Sequence, residues 1–349
     1  MIQPMPKDIY KSEYDYAIPE ELIAKFPPKN RVDSKLLSYS GKKFNIDPFK
    51  VIPKFFQEDD LIVFNETKVF KARLLLTKES GGKVEIFINK IRNKFEAICL
   101  TKGLNLKKKK QLLKTEKFPL KIVILHNENS LVHIKFNQNI DALCESIGHV
   151  PIPPYLNRTD QEDDKDRYQT VFANHKFIES AAAPTASLHF DEELFNSIRK
   201  NLNTCKISLA VGLGTFKPLS DKPITESSTL HDEDFFISNE AAQLINKQIQ
   251  NSKRIISIGT TTLRALEAAW CKKQNMVKAG KNTTNIFIKE GYEFNVVNSL
   301  VTNFHLPQSS LLMLVSAFSG KEFILSAYKH AIEKKLRFFS YGDAMIIER

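Results

Sequence analysis

From Asp60 onward, short apolar runs recur about every ten residues, the spacing of small all-β domains. "DLIVFNETKVFKARLLL" (Asp60 to Leu76) opens the series. In "KVEIFIN", Val84, Ile86 and Ile88 alternate with Glu85, Phe87 and Asn89; in "LVHIKF", Val132, Ile134 and Phe136 alternate with His133 and Lys135. A period of two sends alternate side chains to opposite faces of a strand. Turn formers separate the runs at Ser80-Gly81-Gly82, Lys102-Gly103 and Asn127-Glu128-Asn129. The pattern predicts a compact antiparallel barrel or meander over residues 70–150. Lys107, Lys108, Lys109 and Lys110 fall inside it. Such a run reads as a solvated loop or edge, or as a contact to nucleic-acid phosphate.

"GHVPIPPYL" (Gly148 to Leu156) ends that region, because its three prolines cannot donate to a strand ladder. The character then changes. "KISLAVGLGTF" and "RIISIGTTTLRALEAAW" read as buried strands leading into loops or helices, the α/β pattern. In "KEFILSAYKHAIEKK", Phe323, Ile324, Ala327, Tyr328, Ala331 and Ile332 form one apolar helical stripe; Gly320 stops the preceding helix, and Lys334 and Lys335 suit the C-terminal end of this one. The predicted fold is an α/β catalytic domain, residues 1–69 and 151–349, interrupted by an inserted antiparallel β-barrel domain, residues 70–150.

The 349 residues are 42% hydrophobic, enough for a substantial core. No apolar run approaches the roughly 20 residues of a membrane helix, and the start "MIQPMPKDIYKSEYDY" has no apolar signal core, so a cytoplasmic, membrane-free protein is expected. Cys99, Cys144, Cys205 and Cys271 are too scattered for a zinc or redox motif, and no metal is expected. A net charge of +11 favours an anionic partner such as nucleic acid.

Three stretches could carry chemistry. In "SIGTTTLRALE", Gly259, Thr260, Thr261 and Thr262 stand between a strand and a helix, a place whose free N–H groups favour carboxylate or phosphate. Arg264 in the first turn needs a negative neighbour, either a ligand or Glu267 at helical spacing. In "VGLGTFKP", Gly212 and Gly214 lack the third glycine of a dinucleotide fingerprint and read as a turn or a close backbone approach to ligand. In "LVTNFHLPQSSLLMLVSAF", Asn303 and His305 sit just outside a buried helix that starts near Ser309, and either a carbonyl or a ligand could satisfy them. His189, His231, Thr260 to Thr262 and His305 all lie in segments that an open α/β sheet can bring to one crevice. "RYQTVFA", after the acidic "DQEDDKD", reads equally as a surface loop or a nucleic-acid contact.

Taken together, the segments resemble one family, the S-adenosylmethionine:tRNA ribosyltransferase-isomerases of queuosine biosynthesis. The matching stretches include "YDYAIPEELIAKFPPKNRVDSKLL", "LIVFNETKVFKARL", "GHVPIPPYLNR", "DRYQTVFA", "AAPTASLHF", "LHDE", "IGTTTLRALE", "VTNFHLPQSSLLMLVSAFSG" and "RFFSYGDAMII", in family order from residue 14 to 347. The chain departs from the family pattern at Ser187, where glycine is usual, at Ala210, where histidine is usual, and at Glu290, which replaces a proline.

The resemblance implies transfer and isomerisation of the ribosyl part of S-adenosylmethionine onto the 7-aminomethyl-7-deazaguanine wobble base of tRNA, giving epoxyqueuosine-tRNA, adenine and methionine. S-adenosylmethionine is then a cosubstrate, with no permanently bound cofactor. A tRNA-binding relative with altered catalysis and an S-adenosylmethionine-dependent RNA methyltransferase are the alternatives. The chemistry needs a base for the carbon-bound proton beside the sulfonium, a donor for departing adenine and a site that excludes water. His189 and His305 are the proton-transfer candidates, assisted by Glu233 or Asp343. Gly259, Thr260, Thr261, Thr262, Arg264, Asn303, Gly212 and Gly214 are the cosubstrate candidates, with the helix start and Arg264 holding the methionine carboxylate. Tyr155, Arg158, Arg167, Tyr168, Gln169, Lys107, Lys108 and Lys109 are the candidates for contact with the anticodon stem-loop of tRNA. No obligate protein partner is expected.

Overall fold

The protein is described by a computed structural model over residues 8–128, 131–212, 219–225 and 228–349, with the backbone alone for 175–179. Among these residues two large sheets carry the fold. One has nine strands, in the spatial order Gly280–Thr284, Glu233–Ile237, Asn203–Leu209, Leu61–Asn65, Ile255–Ile258, Ser299–Asn303, Ala344–Glu348, Lys35–Ser40 and Lys43–Pro48. Its middle strands, from Asn203–Leu209 to Ser299–Asn303, run parallel, and antiparallel neighbours flank them on both sides.

Parallel strands covered on both faces read as unbroken apolar runs. Leu61 and Val63 join one buried cluster, with Ile255, Leu263, Leu266, Leu312, Val315 and Ile324. Their alternating neighbours Ile62 and Phe64 join another on the opposite face, with Phe49, Phe190, Phe195, Ile256 and Ile258. The first face is covered by the helices Asn239–Gln250, Thr260–Ala269, Ser310–Ser319 and Lys321–Glu333; Glu192–Asn201 covers the second. Ser309 caps Ser310–Ser319 by accepting from the Leu312 N–H, and Gly320, at φ +91°, ends it, as the sequence suggested.

In the other sheet, Arg73–Lys78, Lys83–Asn93, Glu96–Lys102, Leu131–Phe136, Pro119–Glu128 and Lys110–Lys114 follow one another, and the last pairs back with the first. The result is a closed six-stranded antiparallel barrel, which has no long free edge. Val84, Ile86, Ile88, Val132, Ile134 and Phe136 all point into its core. Phe87 breaks the strict alternation, for it too is buried. The helix Ile140–Ile147 follows, and the short strand Gly148–His149 adds to Arg73–Lys78. Only glycine fits at 148: a Cβ there would lie 2.3 Å from the carbonyl oxygens of both Cys144 and Lys71. The barrel strands therefore interrupt the nine-stranded sheet, whose strand Leu61–Asn65 precedes them and whose strand Asn203–Leu209 follows. Lys90 of the barrel reaches back to Asp234 of that sheet at 2.6 Å.

No helix among the described residues is long and apolar enough to cross a membrane.

Candidate active site

The four parallel strands end together at Leu209, Asn65, Ile258 and Asn303. A cavity lies beyond those ends, where open α/β sheets bind their ligands. Val211, Gly259, Thr260, Thr261, Asn303 and His305 line it from the sheet side. Ala183, Pro184, Thr185 and Ala186 line a second wall, so the small residues ahead of His189 are the ones that leave room for a ligand. Tyr155, Phe339 and Ser340 form a third.

The helix Thr260–Ala269 begins at this wall, behind Gly259 at φ +91°, with no side chain capping it. Its first-turn N–H groups have no intrahelical acceptors, and the helix dipole adds to their preference for an anion. Thr261 Oγ1 accepts from Asn65 Nδ2 at 3.3 Å, which fixes one hydroxyl of the entrance. Thr262 turns away and donates to the Ile258 carbonyl at 2.7 Å.

His305 lines the cavity, with Nε2 2.9 Å from Thr302 Oγ1. Burial pushes its pKa down to about 3, so the imidazole is neutral at ordinary pH. The Tyr16 hydroxyl donates to the His305 carbonyl and the His305 N–H donates to the Tyr328 hydroxyl, so the backbone is held on both sides.

His189 stands behind the cavity wall, not on it. Its Nε2 is 3.0 Å from Asn303 Nδ2, its Nδ1 is 2.8 Å from Ser34 Oγ, and its ring rests on Phe49. Burial, with Arg337 and Arg31 nearby, pushes its pKa down to about 3. Asn303, in front of it, accepts from the Thr185 hydroxyl at 3.0 Å.

A family profile described as "Queuosine biosynthesis protein" matches residues 11–347. The S-adenosylmethionine:tRNA ribosyltransferase-isomerase of Acinetobacter baumannii is 42% identical over 340 residues, 97% of this chain and 98% of its own. The chain belongs to this family. A Sulfurihydrogenibium member is 41% identical over 343 residues, covering 96% and 99%. The crystal structure of the S-adenosylmethionine tRNA ribosyltransferase from Thermotoga maritima superposes with a TM-score of 0.53 at 29% identity, covering 96% of this chain and 100% of that one.

In this member of the family several expected site residues lie elsewhere. Arg264 is paired with Glu233 and not with Glu267, and Glu233 also accepts from the Gly212 N–H at 3.1 Å. Glu267 instead accepts from the backbone N–H groups of Asn295, Val296 and Val297. Glu233, Arg264 and Gly212 therefore do not line the cavity; Glu233 and Gly212 border a groove facing the barrel, with Ala210 beside them. Asp343 is a backbone clamp, accepting from the Lys35 N–H at 2.8 Å and the Arg337 N–H at 2.7 Å. Gly214 lies outside the described residues. His231 is exposed and away from the cavity.

The expected RNA contacts divide in the same way. Tyr168 is buried against Tyr341 and offers no face for stacking. Gln169 bridges the N–H and carbonyl of Val69. Arg167 donates to the Pro28 and Lys29 carbonyls, and Arg158 holds Asp164 with two hydrogen bonds while lying over Phe26. Tyr155 belongs to the cavity wall, its hydroxyl on Ser340. Lys107, Lys108 and Lys109 remain exposed on the barrel.

The departures from the family pattern differ in how well they fit. Ser187 is fully buried with a negative φ, so its backbone does not require glycine, but among the described residues its hydroxyl has no hydrogen-bond partner. Glu290 accepts from the Tyr14 hydroxyl at 3.2 Å.

Sequence reasoning missed Thr185, Thr302, Phe339 and Ser340. Phe339 adopts φ +70°, rare for an aromatic residue, and its carbonyl accepts from Asn303 at 3.2 Å. No sequence signal marks that strain.

Proposed function

We propose that this chain transfers the ribosyl part of S-adenosylmethionine to the 7-aminomethyl-7-deazaguanine wobble base of tRNA and isomerises it, giving epoxyqueuosine-tRNA, adenine and methionine. The observation that carries this reading is the convergence of an uncapped helix start, Asn303 and His305 on one cavity, in a chain 42% identical along nearly its whole length to an S-adenosylmethionine:tRNA ribosyltransferase-isomerase.

The uncapped start of Thr260–Ala269 suits the methionine carboxylate. The carbon beside the sulfonium is acidic, and His305, neutral and lining the cavity, takes its proton. Burial makes a lasting imidazolium costly, so the proton is passed on to adenine as the bond from the anomeric carbon to the base breaks. The aminomethyl nitrogen of the tRNA base then bonds to the ribosyl fragment freed from adenine and gives up a proton, and a ribosyl oxygen displaces the sulfonium, closing the epoxide and releasing methionine. The enclosed walls around Ala183 to Ala186 keep water from the activated sugar.

The α/β unit, residues 1–69 and 151–349, supplies this cavity, and the inserted barrel, residues 70–150, presents Lys107, Lys108 and Lys109 to the phosphates of the anticodon stem-loop. S-adenosylmethionine enters and leaves as a cosubstrate, no other cofactor or protein partner is required, and the protein acts in the cytoplasm.

The test is incubation with S-adenosylmethionine and precursor-bearing tRNA, followed by mass identification of the small products. Adenine with methionine supports the assignment. S-adenosylhomocysteine identifies a methyltransferase instead, and tRNA binding with no small product identifies a relative that has lost catalysis.

A further inference from the structure

Four hydrogen bonds run from the cavity wall into the interior, and the chemistry of their partners fixes the direction of each. The Phe339 carbonyl can only accept, so the side of the Asn303 amide 3.2 Å from it is the nitrogen. The second Nδ2 hydrogen then goes to His189 Nε2 at 3.0 Å, and Oδ1 accepts from the Thr185 hydroxyl at 3.0 Å. With Nε2 an acceptor, the neutral ring carries its hydrogen on Nδ1 and donates to Ser34 Oγ at 2.8 Å. Ser34 donates in turn to the Arg31 carbonyl at 3.2 Å. Along the series from Thr185 to Arg31 every hydrogen points inward, and the other Asn303 hydrogen is held by the Phe339 carbonyl of the wall.

The Thr185 hydroxyl has one hydrogen, already committed to Asn303, so only its lone pairs remain for a ligand. A hydroxyl free to rotate could serve either a donor or an acceptor. This one is set to accept. An ammonium group has donors and no acceptor, and so matches it.

The neighbouring residue places the match on the cosubstrate. A Cβ built on Gly259 would lie 3.6 Å from the Cβ of Ala186, so the Thr185-Ala186 segment abuts the start of Thr260–Ala269. The carboxylate and ammonium of an α-amino acid share one carbon, and a carboxylate at that helix start leaves its ammonium beside this segment. We propose that Thr185 accepts a hydrogen bond from the α-ammonium of S-adenosylmethionine, and that Asn303 and His189 are positioning residues that hold its hydroxyl in the accepting orientation. The proposal rests on the ribosyltransferase-isomerase reading given above.

Adenine release is measured with a precursor-bearing anticodon stem-loop and either S-adenosylmethionine or its counterpart lacking the α-amine, for the unaltered protein, Thr185→Val and Thr185→Ser. A hydrogen bond to a charged group is worth about tenfold or more in kcat/KM, so Thr185→Val loses about that factor with S-adenosylmethionine. It loses nothing with the deaminated compound, and Thr185→Ser, which keeps the hydroxyl, retains the preference for the amine. Thr185→Ser melts as the unaltered protein does, whereas Thr185→Val, which leaves the buried Asn303 Oδ1 without its donor, melts lower yet still folds at the assay temperature, so each rate is taken per folded molecule. Equal loss with both cosubstrates, no loss with either, or a preference that disappears in Thr185→Ser overturns the proposal. An unaltered protein that releases no adenine overturns the underlying reading instead, and the proposal falls with it.

Discussion

The Arg264 guanidinium is held by the Glu233 carboxylate inside the protein, where neither side chain is more than 5% exposed. Removing one partner strands the other in a medium of low dielectric. Glu233→Gln is therefore expected to cost about 3 kcal/mol or more in stability, read as a lower midpoint of denaturant unfolding. An apolar pair, Glu233→Leu with Arg264→Met, recovers most of that loss. A stable Glu233→Gln protein that is selectively inactive would return Glu233 to a catalytic role.

Burial pushes the imidazoles of both His189 and His305 down to about 3. In the unfolded chain each titrates near 6.5, so between about pH 3 and 6.5 the unfolded state binds more protons. The contribution of these residues to stability is complete above about pH 6.5 and is lost as the pH falls toward about 3. His305→Gln, unfolded by denaturant at pH 7.5 and pH 5, is expected to lose less stability across that interval than the unaltered protein. Parallel losses would show that His305 is not buried in its neutral form.

Asp343 uses its two oxygens on two backbone N–H groups, those of Lys35 and Arg337. An asparagine has one acceptor oxygen, so Asp343→Asn leaves one buried N–H without its partner. A loss of about 1–3 kcal/mol in unfolding free energy is expected. Turnover per folded molecule is unchanged, because Asp343 does not line the cavity. A fall in kcat at unchanged stability would contradict the clamp.

Lys107, Lys108 and Lys109 stand exposed on the barrel. If each meets a phosphate of the tRNA, replacing all three with alanine reduces the dependence of log Kd on log salt by about 2 to 3. Filter binding or anisotropy across a salt series measures that slope. An unchanged slope would leave the run as a solvated turn.

The architecture was legible because its signals are local. Period-two alternation at Val84, Ile86 and Ile88 needs only a short window, and so do the stops at Pro151, Pro153 and Pro154 and at Gly320. The crevice was legible in outline, since Gly259 and His305 follow a buried strand and Asn303 ends one. Partner choice was not legible. Asp164 sits within the acidic stretch between Arg158 and Tyr168, two of the expected tRNA contacts, and its carboxylate binds Arg158 and the Tyr341 hydroxyl. The same limit applies to Arg264, whose partner Glu233 is 31 residues away in sequence, while Glu267 stands at helical spacing. Helical spacing shows which side chains can meet, and burial decides which of them do.

The interruption of the nine-stranded sheet by the barrel also sets an order on synthesis. Leu61–Asn65 pairs with Asn203–Leu209 and Ile255–Ile258, so this wholly buried strand leaves the ribosome long before either neighbour exists. Among the described residues the barrel strands from Arg73 to Phe136 pair only among themselves and with the short strand Gly148–His149, so their ladder needs nothing made later than that strand. A finished barrel therefore sits beside a bare apolar strand while about fifty further residues are added before Asn203–Leu209 arrives. That waiting strand is the part of the nascent chain most exposed to wrong pairing.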